Sequence, residues 1–110
     1  MKTLQIDNVL DVFVGQNAAE NWKLIDKYHK CNFMWFHLED YPSCHVFVEN
    51  DALTPEDIYE LSKICKDNTN KCKDKNNVKV CYTHISNIKK GKDPGSVIFK
   101  NINLKKIVHV

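Results

Sequence analysis

The sequence predicts one α+β domain: a mostly antiparallel sheet of about five to six strands, with two helices on one face of it. Three observations lead there. The 110 residues are enough for one hydrophobic core and too few for two. Apolar residues make up 43% of the chain and charged residues 27%, the balance of a folded globular protein. Two segments combine helical spacing with helix-start signals, and the other apolar segments are short and clustered in runs. No repeat or long linker divides residues 1–110, which read as a single domain.

The elements follow in order. Val9 to Val14 is an apolar, β-branched run closed by Gly15, and reads as a strand. Asn17 is a good helix N-cap and Glu20 stands three residues on, a capping-box arrangement. Trp22, Ile25 and Tyr28 then recur at helical spacing, so a helix runs from about Ala18 to Tyr28. Phe33 to Leu38 and His45 to Val48 read as strands joined by a turn that holds Pro42. Thr54, Pro55 and Asp57 mark a second helix start, and Ile58, Leu61, Ile64 and Cys65 form its buried stripe. Asp67 to Asn77 is polar and aperiodic, a solvated loop or a frayed helix end. Val78 to Tyr82 reads as a strand, and Ile85 and Ile88 mark a short connector of one helical turn. Val97–Lys100 and Lys105–Val110 predict a hairpin across Asn101–Leu104.

Net charge is only +2, yet it is segregated. Residues 1–62 carry four lysines against eleven acids, a net −7; residues 63–110 carry twelve lysines against three acids, a net +9. Such asymmetry points to an anionic partner for the later half, unless the two halves offset each other when packed. All sixteen basic residues are lysine. Lysine binds phosphate as a point charge and lacks the bidentate fork of arginine, so guanine readout by arginine is excluded and any nucleic-acid contact is led by the backbone.

The five cysteines form no Cys-x-x-Cys pair, which excludes a zinc ribbon and a thioredoxin-type site. No cofactor and no metal are expected. No apolar run approaches the ~20 residues of a membrane helix, and residues 1–7 lack a signal-peptide core. The expectation is a cytoplasmic protein with reduced thiols and no membrane partner.

Four groups of residues are candidates for chemistry. The first is Gly15 to Asn21, a strand-to-helix junction where a helix N-terminus, Asn17 and Asn21 offer hydrogen bonds to a ligand. The plainer role is that Asn17 caps the helix and Asn21 ties a loop. The second is Trp35 with His37, which share one side of a strand and could stack on unpaired bases if that side faces solvent. Otherwise Trp35 anchors the core, the commoner fate of strand aromatics. The third is His37 with His45, brought together across a hairpin. They suit an acid–base pair or, with Cys44 or Cys31, a metal set. The absence of arginine to stabilise a phosphorane argues against a nuclease, and the loose spacing argues against zinc. The fourth is Tyr82, Thr83, His84, Asn87, Lys89 and Lys90, where a strand end meets polar groups and adjacent lysines. On a regular element Lys89 and Lys90 point apart, so only one reaches a given phosphate.

Four words in this order carry a resemblance: Val14-Gly15-Gln16-Asn17-Ala18-Ala19-Glu20-Asn21, Met34-Trp35-Phe36-His37-Leu38, His45-Val46-Phe47-Val48, and Val80-Cys81-Tyr82-Thr83 leading to Ile88-Lys89-Lys90. The chain resembles the NFACT-R domain, the C-terminal piece of ribosome quality-control factors of the NEMF/RqcH type, over roughly Val9 to Val110. Lys92-Asp93-Pro94-Gly95 fits that family's Pro-Gly turn. Two departures stand out: Phe33 replaces an acidic residue, and Ser43 replaces a glycine that would allow φ > 0.

The resemblance implies a non-catalytic RNA-binding module, for tRNA, rRNA or ribosomal particles, and favours Asn17, Asn21, Tyr82, Thr83, Lys89 and Lys90 as binding residues; Trp35, His37 and His45 join them from the reading of the strands. Tail synthesis is not implied, because in large relatives it needs other domains. DNA remains open as a partner, since backbone-led contacts separate it poorly from RNA. The alternatives are a protein-interaction module, with a protein partner on an exposed sheet edge, and a small His-dependent RNA hydrolase.

Overall fold

A computed structural model of the chain describes residues 1–7, 9–49 and 52–110. Its main sheet joins β1 (Lys2–Ile6), β2 (Leu10–Gly15), β3 (Met34–Leu38), β4 (His45–Val48), β5 (Lys79–His84) and β8 (Lys106–His109) in the order β1-β2-β4-β3-β5-β8. Every neighbouring pair is antiparallel. A second, two-stranded sheet joins β6 (Ile88–Lys90) to β7 (Val97–Phe99). The helices are α1 (Ala18–Tyr28) and α2 (Pro55–Asp67). The α+β class stands as expected.

The helices do not share a face. β2 and β3 both pair antiparallel with β4, so they run parallel, and the β2-α1-β3 connection crosses over β4. β4 and β5 are likewise parallel about β3, and β4-α2-β5 crosses over it. Both crossovers step the same way along the sheet, but they start from strands pointing in opposite directions. Two crossovers of the same hand must then put their helices on opposite faces. The cores show that they do. Leu61 and Cys65 of α2 pack with Val12, Phe36, Val46 and Val80. Leu24 and Ile25 of α1 pack with Trp35, Phe47 and Cys81. Residues 34–38 and 45–48 thus face a helix layer on both sides, which is why all of β4 is buried.

The local signals act largely as read. Asn17 accepts the Glu20 N–H, and Thr54 with Asp57 forms a full capping box. Glu20 reaches one residue further back than a capping box requires, to the Gln16 N–H. Ser43 does not need the left-handed region that the family glycine allows, since it is absent from the positive-φ residues. Its hydroxyl instead accepts from the Leu38 N–H and donates to the Cys44 carbonyl, fastening the turn by side chain.

Besides the placement of the helices, three features differ from the sequence reading. β1 was not anticipated, although Leu4 and Ile6 turn inward and Thr3 and Gln5 outward as a half-buried strand requires. The segment after α2 is no mere solvated loop, because Thr69 and Cys72 within it are buried. Finally, β7 and β8 form no hairpin: β7 pairs with β6, and β8 leaves to pair with β5. The Asn87 amide redirects the chain. It accepts from the Asn101 N–H and donates to the Asn101 carbonyl, and a short 3-10 turn at Ile102–Leu104 follows.

Candidate nucleic-acid interface

Gly15 closes β2 on the α1 side of the sheet, opposite His45. A side chain there is impossible without movement, because a Cβ would lie 2.1 Å from Asn21 Oδ1. Asn21 follows Asn17 by four residues, so both lie on one face of α1. Asn17 is exposed, whereas Asn21 is only 4% exposed and its Oδ1 has no hydrogen-bond partner.

The hairpin of β3 and β4 adds two histidines. His45 is buried, and its Nδ1 accepts the indole N–H of Trp35 at 3.0 Å. An indole only donates, so Nδ1 must be unprotonated and the ring neutral with its proton on Nε2. Burial first, then the nearby His37, pushes His45 down to about 3, and a backbone contact with Gly95 acts in the other direction. Burial also holds the half-buried His37 below the usual imidazole range. The His37 ring stacks parallel to Trp35 at 5.7 Å and meets His45 edge-on at 4.8 Å.

The third wall is the turn Asp93-Pro94-Gly95-Ser96. Ser96 N–H bonds the Asp93 carbonyl, and Gly95 has φ +85°, as position three of a type II turn demands. A Cβ on Gly95 would stand 3.0 Å from the Ala18 Cβ, so the turn lies directly on the start of α1. Trp22 fixes it there by donating its indole N–H to the Ser96 carbonyl.

Between these walls lies a cavity of about 510 Å³, lined by Asn17, Asn21, His37 and His45 among others. A second cavity of about 330 Å³ shares His37, His45, Gly95 and Ser96 and continues beneath β7 to Phe99 and Lys105. Four of the nine expected residues therefore converge. Trp35 lines only the second cavity and is fully buried, so it supports the site from below and offers no surface to a passing base.

The remaining residues are placed elsewhere. Tyr82 is on the opposite face, stacked on Phe36 at 5.3 Å. Thr83 is buried, donating to the Leu104 carbonyl and accepting from Asn87. With Asn87 engaged at Asn101, this group fixes the path between β7 and β8 and does not present itself to a ligand. Lys89 and Lys90 point apart as expected. Lys90 lies toward α1, bonded to Asp26 at 3.0 Å and over the Trp22 ring at 5.5 Å. Lys89 pairs across the strands with exposed Ile98 on the outer side.

The twelve later lysines do not gather on one platform. Lys63 and Lys66 belong to α2 and its side of the sheet, while Lys89, Lys90, Lys92 and Lys100 belong to the β6–β7 layer on the other. Among the described residues, acids of the earlier half pair with Lys90 and Lys105 only: Asp26 with the first, Glu39 with the second. Sequence reasoning missed Glu39 and Asp40 as cavity walls, and read the Pro-Gly turn as a turn without seeing what it covers. No local signal encodes either.

The fold and cavity define a small domain that sets a recess lined by Asn17, Asn21, His37 and His45 beside a lysine-bearing two-stranded flap. Residues 3–101 match the family described as NFACT protein RNA binding domain, and the chain belongs to that family. It is 30% identical to the Rqc2 homolog RqcH of Bacillus subtilis over 101 residues, which are 90% of this chain and 18% of that protein. It is 30% identical to the coiled-coil domain-containing protein 25 of Danio rerio over 107 residues, 90% of this chain and 51% of that one. The chain thus spans about half or less of the length of these relatives. The C-terminal part of the fibronectin/fibrinogen-binding protein from Streptococcus suis shares the fold with a TM-score of 0.85 and 25% identity, covering 98% of this chain and 44% of that one.

Proposed function

We infer that this domain binds structured RNA, such as tRNA or rRNA, without catalysing a reaction on it, and that it serves ribosome quality control in the cytoplasm. Membership of an RNA-binding domain family over residues 3–101 carries the reading. The outer side of the β6–β7 flap supports it. Lys89 on that side, and Lys92 and Lys100 beside the two strands, are exposed with no ion pair among the described residues, available to phosphates. The state of His45 speaks for binding over hydrolysis, since a ring held neutral by the Trp35 indole is no general acid for an RNase pair.

Filter binding of tRNA across a salt series tests the reading. Affinity should fall log-linearly with salt, by roughly 0.7–0.9 per phosphate contacted. Lys89→Ala combined with Lys100→Ala should weaken it at low salt. Absence of binding at low salt, or affinity untouched by that pair of changes, ends the reading.

A further inference from the structure

The 510 Å³ cavity is built for something other than phosphate. No lysine lines it; Glu39 and Asp40 do, the Glu39 carboxylate already paired with Lys105. The start of α1 beside it already has its own anion, since Glu20 holds the Gln16 N–H and the Met1 amino group. A phosphate entering here finds no lysine free to hold it; a neutral polar group needs none.

What the cavity does offer is an amide and a flat ring. Asn21 is 4% exposed and lines the cavity, and its Oδ1 is buried against Gly15 without a partner. An unpaired buried amide is costly, and turning the amide so that a ligand in the cavity supplies the missing bond removes the cost. A half-turn of the amide presents either its acceptor or its donor end, the adjacent pair that nucleobase edges match. His37 is half-buried where the two cavities meet, its ring parallel to Trp35 and held upright by the His45 edge. Such a ring is a stacking platform for a planar heterocycle. The volume lies within the range of about 300–1,000 Å³ typical of small-ligand sites, which suits one nucleoside and excludes a duplex.

Resting on the RNA-binding reading above, we propose that this cavity receives a single unpaired nucleobase. The Asn21 amide bonds its edge, His37 lies against its face, and the lysines of the flap hold the phosphates outside. The base specifies the site, and the lysines supply non-specific affinity.

Fluorescence anisotropy with a short single-stranded RNA and its abasic counterpart tests this. The intact protein should prefer the base-bearing strand by about tenfold or more. His37→Ala and Asn21→Ala should each abolish that preference and leave the abasic affinity and salt slope unchanged. If Asn21→Ala fails to fold, Asn17→Ser, which keeps a good cap, joins His37→Ala as the second cavity variant. Equal affinity of the intact protein for both strands, or equal losses on both in the variants, overturns the proposal. Binding of tRNA with neither strand bound overturns the proposal; should tRNA and both strands all fail to bind at low salt, the RNA reading falls and the cavity is judged alone by titrating isotope-labelled protein with free nucleosides. Resonance shifts centred on the Asn21 amide then uphold it, and their absence overturns it.

Discussion

The indole N–H of Trp35 donates to Nδ1 of His45 at 3.0 Å, and neither side chain reaches solvent. This bond joins adjacent strands, fixes one histidine tautomer and supports the ring of His37. It makes the two histidines, for which an acid–base pair is one of several sequence readings, part of the floor of the cavity.

One consequence is a pH dependence of stability. The folded value of His45 is depressed to about 3, against an unfolded value of ~6.5. A depressed group leaves stability intact above the unfolded value and removes it as pH falls toward the folded one. The loss between pH ~6.5 and ~3 is on the order of 4–5 kcal/mol. His37 shifts in the same direction, and the lowered carboxyl of Glu39, paired first with Lys105, adds its own loss at more acid pH. Urea denaturation at pH 7 and 4.5 isolates His45 when compared with His45→Gln, which lacks the titrating ring. The wild type should lose more stability than the variant over that interval.

Gly15 and Asn21 should be energetically coupled. Gly15→Ala forces the Asn21 amide away, since the new Cβ would sit 2.1 Å from Oδ1. The same change in an Asn21→Ala background meets less obstruction. A double-mutant cycle should therefore give an interaction energy within the range of about 0.5–3 kcal/mol for residues in contact. Strict additivity would contradict the packing described.

Gly95→Ala should destabilise by about 1–2 kcal/mol from the left-handed backbone alone. The 3.0 Å approach to Ala18 adds to it. Thermal melting measures the loss, and a loss no larger than the backbone contribution would mean that the turn does not lie on α1.

Lys89 and Lys90 should separate in function. Lys89→Ala should lower the slope of log affinity against log salt by about 1 for tRNA. Lys90→Ala should change it less, because that ammonium is already shared between Asp26 and the Trp22 ring. Its stability cost should stay below about 1 kcal/mol, as for other exposed pairs. The reverse order of the two slopes would count against the placement of the flap.

Thr83→Val should act on the fold and not on binding. It strips the Leu104 carbonyl and the Asn87 amide of a buried partner, a loss of about 1–3 kcal/mol. RNA affinity of the folded fraction should be unchanged; a selective loss of affinity at full stability would return Thr83 to the binding surface.

Much of this molecule is written locally. The Asn17 and Thr54 caps, the Pro94–Gly95 turn and the apolar periods of α1 and α2 depend on residues within one helical turn or one β-turn. Those are the distances over which a sequence can be read directly. The order of the four words around Asn21, His37, His45 and Lys89 also carried the family. The readings that missed involved β1, whose pattern is short, the face that each helix covers, the buried Thr69 and Cys72 after α2, and the β7–β8 path, which a single amide at Asn87 redirects.

Sequence alone thus determined the two helices, most of the strands, the family and the candidates Asn17, Asn21, His37 and His45. Only the tertiary structure decided that α1 and α2 take opposite faces, that Trp35 is a support and His45 a fixed acceptor, and that Tyr82 and Thr83 turn away from the cavity. It also decided that the later lysines divide between two layers. The reason is that capping and periodicity are satisfied by near neighbours, whereas burial, protonation and the meeting of distant charges depend on which strands pair across the whole chain.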